Sequence, residues 1–360
     1  MEHNRIMGNK FRKIGVLTSG GDAPGMNAAV RAVTRAALAR GVEVVGIYGG
    51  YRGLIHDDMI ELKARNVSNI ISRGGTFLYS DRCLEFKTEE GMQKAIENCK
   101  KHGIDGIVAI GGDGTFRGAT DLSVHGIPTI GIPGTIDNDI TATENTIGFD
   151  TAMNTVLEMC DRLHDTCESH ARCNVVEVMG RGAGDIALNT AIALGAVAVV
   201  IPEVPFDADA CIEKIRALRA DGKRHFLVIV SEGVENFAEG FAKRIEAETG
   251  VETKFARLAH VVRGGSPTLA DRTLATRMGV HAVEQLLDGK SNLILCQKNS
   301  KIVTYDILYS QCLDRMYKGT LKEGMLEKFS ESEINDMKAE IEQKKKDIAA
   351  LYTLVDETAL

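Results

Sequence analysis

Short runs of β-branched and apolar residues alternate with helical patterns along nearly the whole chain, and this alternation limits the fold more than any other feature. Strand-like runs fall at 14–18, 42–47, 106–110, 129–132, 175–179, 198–201, 226–230 and 292–295. Helical patterns occupy 26–38, 92–101, 151–164, 184–194, 210–220, 237–249 and 269–287. Such alternation predicts an α/β protein whose mostly parallel sheets are covered by helices on both faces. The runs are too many for one compact sheet, and 360 residues allow about two domains at ~150 residues each. The break is expected near residues 147–149, with no Pro/Gly/Ser linker, so the two parts are expected to pack closely.

The chain carries 43 Lys and Arg against 50 Asp and Glu, a net charge of −7, so no global basic field draws nucleic acid or acidic membrane. An anionic substrate would have to be captured by local arginines. The cysteines at 83, 99, 160, 167, 173, 211, 296 and 312 show no CxxC spacing and no zinc pattern, which points to free thiols in a reducing, cytoplasmic setting. Met1 to Lys10 are polar and lack the apolar segment of a secretory leader. No apolar run reaches the ~18 residues of a membrane span. The tail 330–360 reads as an amphipathic helix with Ile334, Met337, Ile341, Ile348 and Leu351 on one face. Ser330 and Ser332 are its candidate caps, and Lys344, Lys345 and Lys346 lie mostly off the stripe. Acidic residues flank the lysines on both sides, against a nucleic-acid or membrane role.

Three strand ends carry the residues with chemistry. The first strand runs into Thr18-Ser19-Gly20-Gly21-Asp22-Ala23-Pro24-Gly25 before a helix, the third into Gly111-Gly112-Asp113-Gly114-Thr115. Glycines there let backbone N–H groups approach a phosphate, and a helix N-terminus favours negative charge. The first loop fits neither GxGxxG nor GxxxxGKT; taken alone, it is equally a tight structural turn. The strand at 129–132 is expected to stop at Pro133 and Gly134, ahead of Thr135, Asp137 and Asp139. In extended backbone the two acids would share a side, roughly 6.5–7 Å apart. A turn held by local Asp and Asn hydrogen bonds accounts for this run equally well. The three loops together describe phosphoryl transfer: a phosphate cradle, a carboxylate suited to magnesium, and a base for an attacking hydroxyl.

The runs KIGVLTSGGDAPGMNA, SRGGTFLYSDR, IGGDGTFRGA, GIPGTIDNDI, VVEVMGRGAGDIAL and HVVRGGSPTLADR, in this order, resemble the ATP-dependent 6-phosphofructokinase family from about residue 13 to 306. The resemblance implies two Rossmann-like domains with the active site in the cleft between them. It assigns 1–148 with about 261–311 to nucleotide binding and 149–260 with about 312–329 to the sugar phosphate, leaving 330–360 as an extension. It implies transfer of the γ-phosphoryl group of Mg-ATP to the 1-hydroxyl of fructose 6-phosphate. The alternatives are a pyrophosphate-dependent or other ketose-phosphate kinase, and a catalytically silent nucleotide-binding subunit. By the same resemblance Asp137 is the general base, Asp139 orients it, and Thr135 binds the phosphoryl group or the sugar. Arg82 and Arg181 neutralise the moving charge. Gly21, Tyr51, Cys83, Gly112, Gly114 and Thr115 line the nucleotide, and Asp113 serves Mg²⁺.

Arg172, Lys254, His260 and Arg263 are implied ligands of the 6-phosphate, and Met179, Gly180 and Glu232 contact the sugar. Arg172 and Lys254 would act from a neighbouring subunit, which implies at least a dimer and, by family habit, a homotetramer. Lys254 stands where the pattern has Arg. Pyrophosphate-using relatives carry Asp in place of Gly114 and Lys in place of Gly134, so two glycines here imply ATP. Bacterial members also bind ADP or phosphoenolpyruvate between subunits. Arg31, Arg35, Lys223 and His225 keep that pattern, while Ala64, His164, Val197 and Asp221 depart from it, so weak or altered allosteric control is expected.

Overall fold

The computed structural model describes residues 11–359; the polar segment Met1 to Lys10 lies outside them. The chain divides into two compact units. One runs through Thr135 and takes in Ile140–Gly148 and Gly265–Met325; the other comprises Ile136–Asp139, Phe149–Gly264 and the chain from Leu326 onward. The main switch falls at Gly148 and Phe149. Residues 312–325, expected with the second unit, group with the first, because helix Ile307–Tyr317 packs on first-unit elements. The tail, expected as an extension, belongs to the second unit.

Numbered along the chain, the first unit holds strands β1 (Lys13–Thr18), β2 (Glu43–Ile47), β3 (Met59–Glu61), β4 (Gly106–Gly111), β5 (Thr129–Pro133), β10 (Leu293–Lys298) and β11 (Lys301–Asp306). They form one sheet in the order β11-β10-β5-β4-β1-β2-β3. The five inner strands are parallel, and β3 and β11 close the two edges antiparallel. The inner strands β1, β4 and β5 are almost wholly buried, as strands covered on both faces must be. Its helices are α1 (Met26–Ala39), α2 (Tyr51–His56), α3 (Glu89–His102), α4 (Asp113–Val124), α9 (Leu269–Leu287) and α10 (Ile307–Tyr317). Helices α1 and α9 pack closely because Gly279 leaves room: a Cβ there would sit 2.6 Å from Ala32 Cβ and 3.0 Å from the Ala29 carbonyl.

The second unit holds α5 (Phe149–His170), β6 (Cys173–Val178), α6 (Asp185–Leu194), β7 (Ala198–Val200), α7 (Ala208–Ala220), β8 (Phe226–Ser231), α8 (Ala238–Thr249), β9 (Thr253–Arg257) and α11 (Glu331–Thr358). Its four strands are all parallel, in the order β7-β8-β6-β9. Phe226, Val228 and Val230 of β8 bury against Ile212 and Ile215 of α7 and Phe241 and Ile245 of α8. Helix α11 packs on α6 and β7. It opens with a capping box in which Ser330 accepts from the Glu333 N–H while Glu333 accepts from the Ser330 N–H. Ser332 is thus inside the helix and caps nothing. Met337, Ile341, Ile348 and Val355 are its buried face; Lys345 and Lys346 are exposed and Lys344 is half-buried.

One local expectation needs correction: Asp113, Gly114 and Thr115 are not loop residues but the first turn of α4, with Gly112 as its N-cap. Strand β5 ends at Pro133, in register with Gly111, as expected. We expect Gly279→Ala, which drives a methyl into Ala32 and the Ala29 carbonyl, to lose about 1–3 kcal/mol in a denaturant melt; an unchanged midpoint would show that α1 and α9 separate freely.

Candidate active site

In the first unit three strand ends are tied to one another through backbone and hydroxyl bonds. The Ser19 N–H donates to the Ile110 carbonyl at 3.0 Å, Thr115 Oγ1 to the Ser19 carbonyl at 3.2 Å, and the Gly134 N–H to the Gly111 carbonyl at 3.0 Å. The turns after β1, β4 and β5 are therefore fixed in one register. Gly21 is exposed at the tip of the first turn. The N–H groups of Asp113 and Gly114 open α4, where orphan donors and the helix dipole both favour an anion. Cβ atoms added at Gly112 or Gly114 would meet nothing within 4 Å, so the space over this turn is open.

Tyr51 is buried, stacked on Phe86 at 4.2 Å, and its phenol donates to the Thr115 carbonyl at 2.5 Å. It steadies the α4 turn from beneath. Burial raises its phenol well above the ordinary value, followed by the charge of Asp121. Arg82 is exposed, with its N–H on Asp81 Oδ1 at 2.7 Å, and Cys83 beside it is half-buried. Asp113 pairs with Arg117 one helical turn on. No group of three or more His, Cys, Asp or Glu among the described residues could hold a metal by itself. A lone, partly exposed carboxylate at a helix N-terminus fits Mg²⁺, which takes most of its ligands from phosphates and water. Thr135 is buried; its N–H donates to the Ile147 carbonyl at 3.1 Å.

In the second unit Asp137 and Asp139 are both buried, with 1% and 8% of their surfaces exposed. The backbone between them is not extended: Asn138 takes the left-handed conformation, with φ of 51°. Both carboxylates still converge on one guanidinium, Arg181, whose Nε lies 3.7 Å from Asp137 and Nη1 3.5 Å from Asp139. Arg263 Nη2 lies 3.7 Å from the other oxygen of Asp137. Burial, and then the like charge of Asp139, push the Asp137 carboxyl above its ordinary value against the pull of Arg263 and Arg181.

Glu232, just beyond β8, holds the backbone that presents Arg181. Its Oε1 accepts the Arg181 N–H at 2.9 Å and the Gly180 N–H at 3.3 Å. Glu232 thus binds the turn after β6, and buried Met179 opens that turn. His260 is exposed in the 3-10 turn Ala259–Arg263, which also carries Arg263. Arg172 and Lys254 sit together at the start of β6 and β9, bridged by Glu252 at 2.8 and 2.9 Å; these bonds hold the Glu252 carboxyl down to about 2. His164 and His225 meet edge-on at 4.4 Å, and burial followed by the charge of His164 lowers His225.

Several participants were not found by sequence reasoning. Arg117 stands four residues after Asp113, a spacing that pairs only once α4 is known to be a helix. Glu252 acts through its contact with Arg172, a distant segment, and carries no local signal.

A family model described as Phosphofructokinase matches residues 13–286. The ATP-dependent 6-phosphofructokinase of Bacillus subtilis is 54% identical over 298 residues, which cover 83% of this chain and 93% of that protein. ATP-dependent 6-phosphofructokinase 1 of Clostridium perfringens is 51% identical over 313 residues, 87% of this chain and 98% of that protein. Among solved structures, phosphofructokinase from Saccharomyces cerevisiae superposes with a TM-score of 0.84 at 32% identity, covering 95% of this chain and 49% of that one. This chain therefore spans about half the length of the yeast chain. A pyrophosphate-dependent phosphofructokinase from Nitrosospira multiformis shares the fold, with a TM-score of 0.74 at 22% identity over 82% of this chain and 83% of that chain. With the family match spanning most of the chain and relatives of 51–54% identity covered almost end to end, this chain belongs to the phosphofructokinase family.

Proposed function

We propose that the chain transfers the γ-phosphoryl group of Mg-ATP to the 1-hydroxyl of fructose 6-phosphate, giving fructose 1,6-bisphosphate and ADP. The observation that carries the reading is the buried Asp137, its proton affinity raised and its two oxygens faced by Arg181 and Arg263. Asp137 takes the proton of the 1-hydroxyl, the oxygen attacks the γ-phosphorus, and the bridging oxygen leaves with ADP. Arg181, with Asp139 holding one end of its guanidinium, is a fixed cation for the transferring group. The first turn of α4, with Gly21 and the turns tied to it, supplies N–H groups to the nucleotide phosphates. Arg82, Cys83 and Thr135 complete that side of the reaction. Asp113 would hold magnesium, which when bound neutralises charge on the phosphates.

The remaining assignments follow the same reading. Arg263, His260, Met179, Gly180 and Glu232 take fructose 6-phosphate, and Arg172 and Lys254 serve its 6-phosphate from a neighbouring subunit of a homotetramer. The donor is ATP: a side chain at Gly114 would meet open space in the protein, so its obstruction falls on the nucleotide. The eight free thiols support a cytoplasmic setting. No helix among the described residues is long and apolar enough to cross a membrane.

A coupled assay with fructose 6-phosphate and either ATP or pyrophosphate tests the reading; pyrophosphate-only activity would sink it. We expect Asp137→Asn to lose a factor of roughly 100 or more in kcat with little change in either KM. A base must be ionised to act, so kcat should rise with pH through the raised Asp137 value. Asp139→Asn removes the like charge and should move that acid limb to lower pH. For stability the sign reverses: a carboxyl raised by folding favours the folded state when protonated, and that contribution is lost as pH climbs through the folded value. Asp137→Asn should therefore melt no lower than the wild type at neutral pH, which separates lost chemistry from lost fold.

Gly114→Asp should raise the KM for ATP by at least about tenfold, a cost of ~1.4 kcal/mol in binding, while leaving the melting temperature nearly unchanged. Lys254→Arg restores a bidentate fork and should lower the KM for fructose 6-phosphate; an unchanged or higher value counts against Lys254 as a phosphate ligand.

A further inference from the structure

Asn138 lies between the two candidate catalytic acids in a left-handed conformation, so its backbone sets how the two carboxylates stand toward each other and toward Arg181. Its side chain is tethered: Asn138 Nδ2 donates to Asp185 Oδ1 at 3.1 Å. Asp185 is the first residue of α6, and the start of that helix is itself clamped. The Gly184 N–H donates to Glu203 Oε1 at 2.9 Å, and a Cβ at Gly184 would lie 2.6 Å from Glu203 Oε2, so only glycine admits the carboxylate this closely. The second oxygens, Asp185 Oδ2 and Glu203 Oε2, are buried and have no hydrogen-bond partner among the described residues.

These groups border a cavity of about 20 Å³, room for one water-sized molecule. Gly184, Asp185, Ile201 and Glu203 form one side, and Ile348 and Leu351 of α11 form the other. Burial pushes the Glu203 carboxyl above its ordinary range; its bond from Gly184 opposes this, Asp185 adds to it, and Lys344 of α11 pulls it back. The tail helix therefore both covers the acid pair and brings a cation to it.

We infer that Asp185 is a positioning residue for Asp137, acting through Asn138, and that α11 closes over this contact and keeps it in place. The inference rests on Asp137 being the base of the proposed reaction. It connects the tail to the chemistry, since the chain's last helix holds the first turn of α6, α6 holds Asn138, and Asn138 sets the two acids against Arg181.

Asp185→Ala and Asp185→Asn separate this role from a merely structural one. Alanine removes the acceptor; asparagine keeps a carbonyl oxygen for Asn138 Nδ2 but loses the charge that favours a helix N-terminus. We expect Asp185→Ala to lower kcat by roughly ten- to a hundredfold, the scale of a misplaced reacting group, with KM for ATP and fructose 6-phosphate each within about twofold. Asp185→Asn should recover most of that kcat even if its melting temperature matches that of Asp185→Ala. Leu351→Ala, across the cavity, should lower kcat by a smaller factor with the same indifference of KM.

An asparagine variant as slow as the alanine one would overturn the tether, leaving charge or helix stability as the cause. A Leu351→Ala protein altered only in melting temperature would overturn the part given to α11. An active wild type with a silent Asp137→Asn and a fully active Asp185→Ala would overturn this inference alone. A wild type inactive with both phosphoryl donors would overturn the proposed function, and this inference with it.

Discussion

The second unit is organised around a pair of buried like charges. Asp137 and Asp139 sit two residues apart with almost no exposed surface, an arrangement that repulsion and desolvation both oppose. It persists because a single guanidinium answers both acids and a second also faces Asp137. Arg181 is itself in a left-handed conformation, φ 54°, and Glu232 pins its backbone N–H. Two non-glycine residues with positive φ therefore face each other across one ion-pair network. Strain of this kind, on the order of 1–3 kcal/mol per residue, is kept where surrounding structure over-determines it. Here the turn after β6, the end of β8 and the 3-10 turn carrying Arg263 all contribute.

In the proposed reaction the first unit would meet a different requirement, that of holding polyanionic phosphate on an acidic protein. Its means are mostly uncharged: parallel strands end side by side, and the turns after them are bonded to one another rather than to a central side chain. Burial of the inner strands on both faces makes their register hard to shift, because a slip would drive polar turn residues into the core. The exactness of the N–H array over α4 thus comes from the packing of β1, β4 and β5, and Tyr51 adds a wedge beneath it.

Most of this architecture was legible in the alternation of strand and helix patterns, since inner parallel strands are continuous apolar runs. What escaped is physically of one kind. Strands β3, β9 and β11 lie at sheet edges, half-exposed, so their residues mix polar and apolar types: Thr253-Lys254-Phe255-Ala256-Arg257 carries no buried-strand signal. Helix α4 was hidden because its first turn is Asp113-Gly114-Thr115, residues that favour turns unless a preceding strand and a ligand-facing N-terminus are known. In the site, the acids at 137 and 139 were visible, but not their geometry. Extended backbone would have put them on one side by periodicity; the fold instead bends at Asn138 and brings them together through Arg181. The Asp185 tether and the Glu252 bridge were out of reach because each joins segments that only tertiary structure brings together.

Net charge and local charge then divide the work. The chain's −7 would repel nucleotide and sugar phosphate alike, so attraction has to be built at short range, within about a Debye length of ~8–10 Å. Several of the cations proposed for phosphate are held by carboxylates: Arg181 by Asp137 and Asp139, and Arg172 and Lys254 by Glu252. Such pairing costs part of their attraction but fixes their direction, so less side-chain freedom is lost when an anion arrives. Glu252, its carboxyl held down to about 2 by the bonds from Arg172 and Lys254, is ionised at neutral pH and keeps its hold on both cations there. Asp137 behaves in the opposite way: burial and then the like charge of Asp139 keep its proton affinity high. The same chemistry, a carboxylate facing a guanidinium, therefore gives a fixed clamp at the half-buried Glu252 and the proposed proton acceptor at the buried Asp137, and depth in the protein is what distinguishes them.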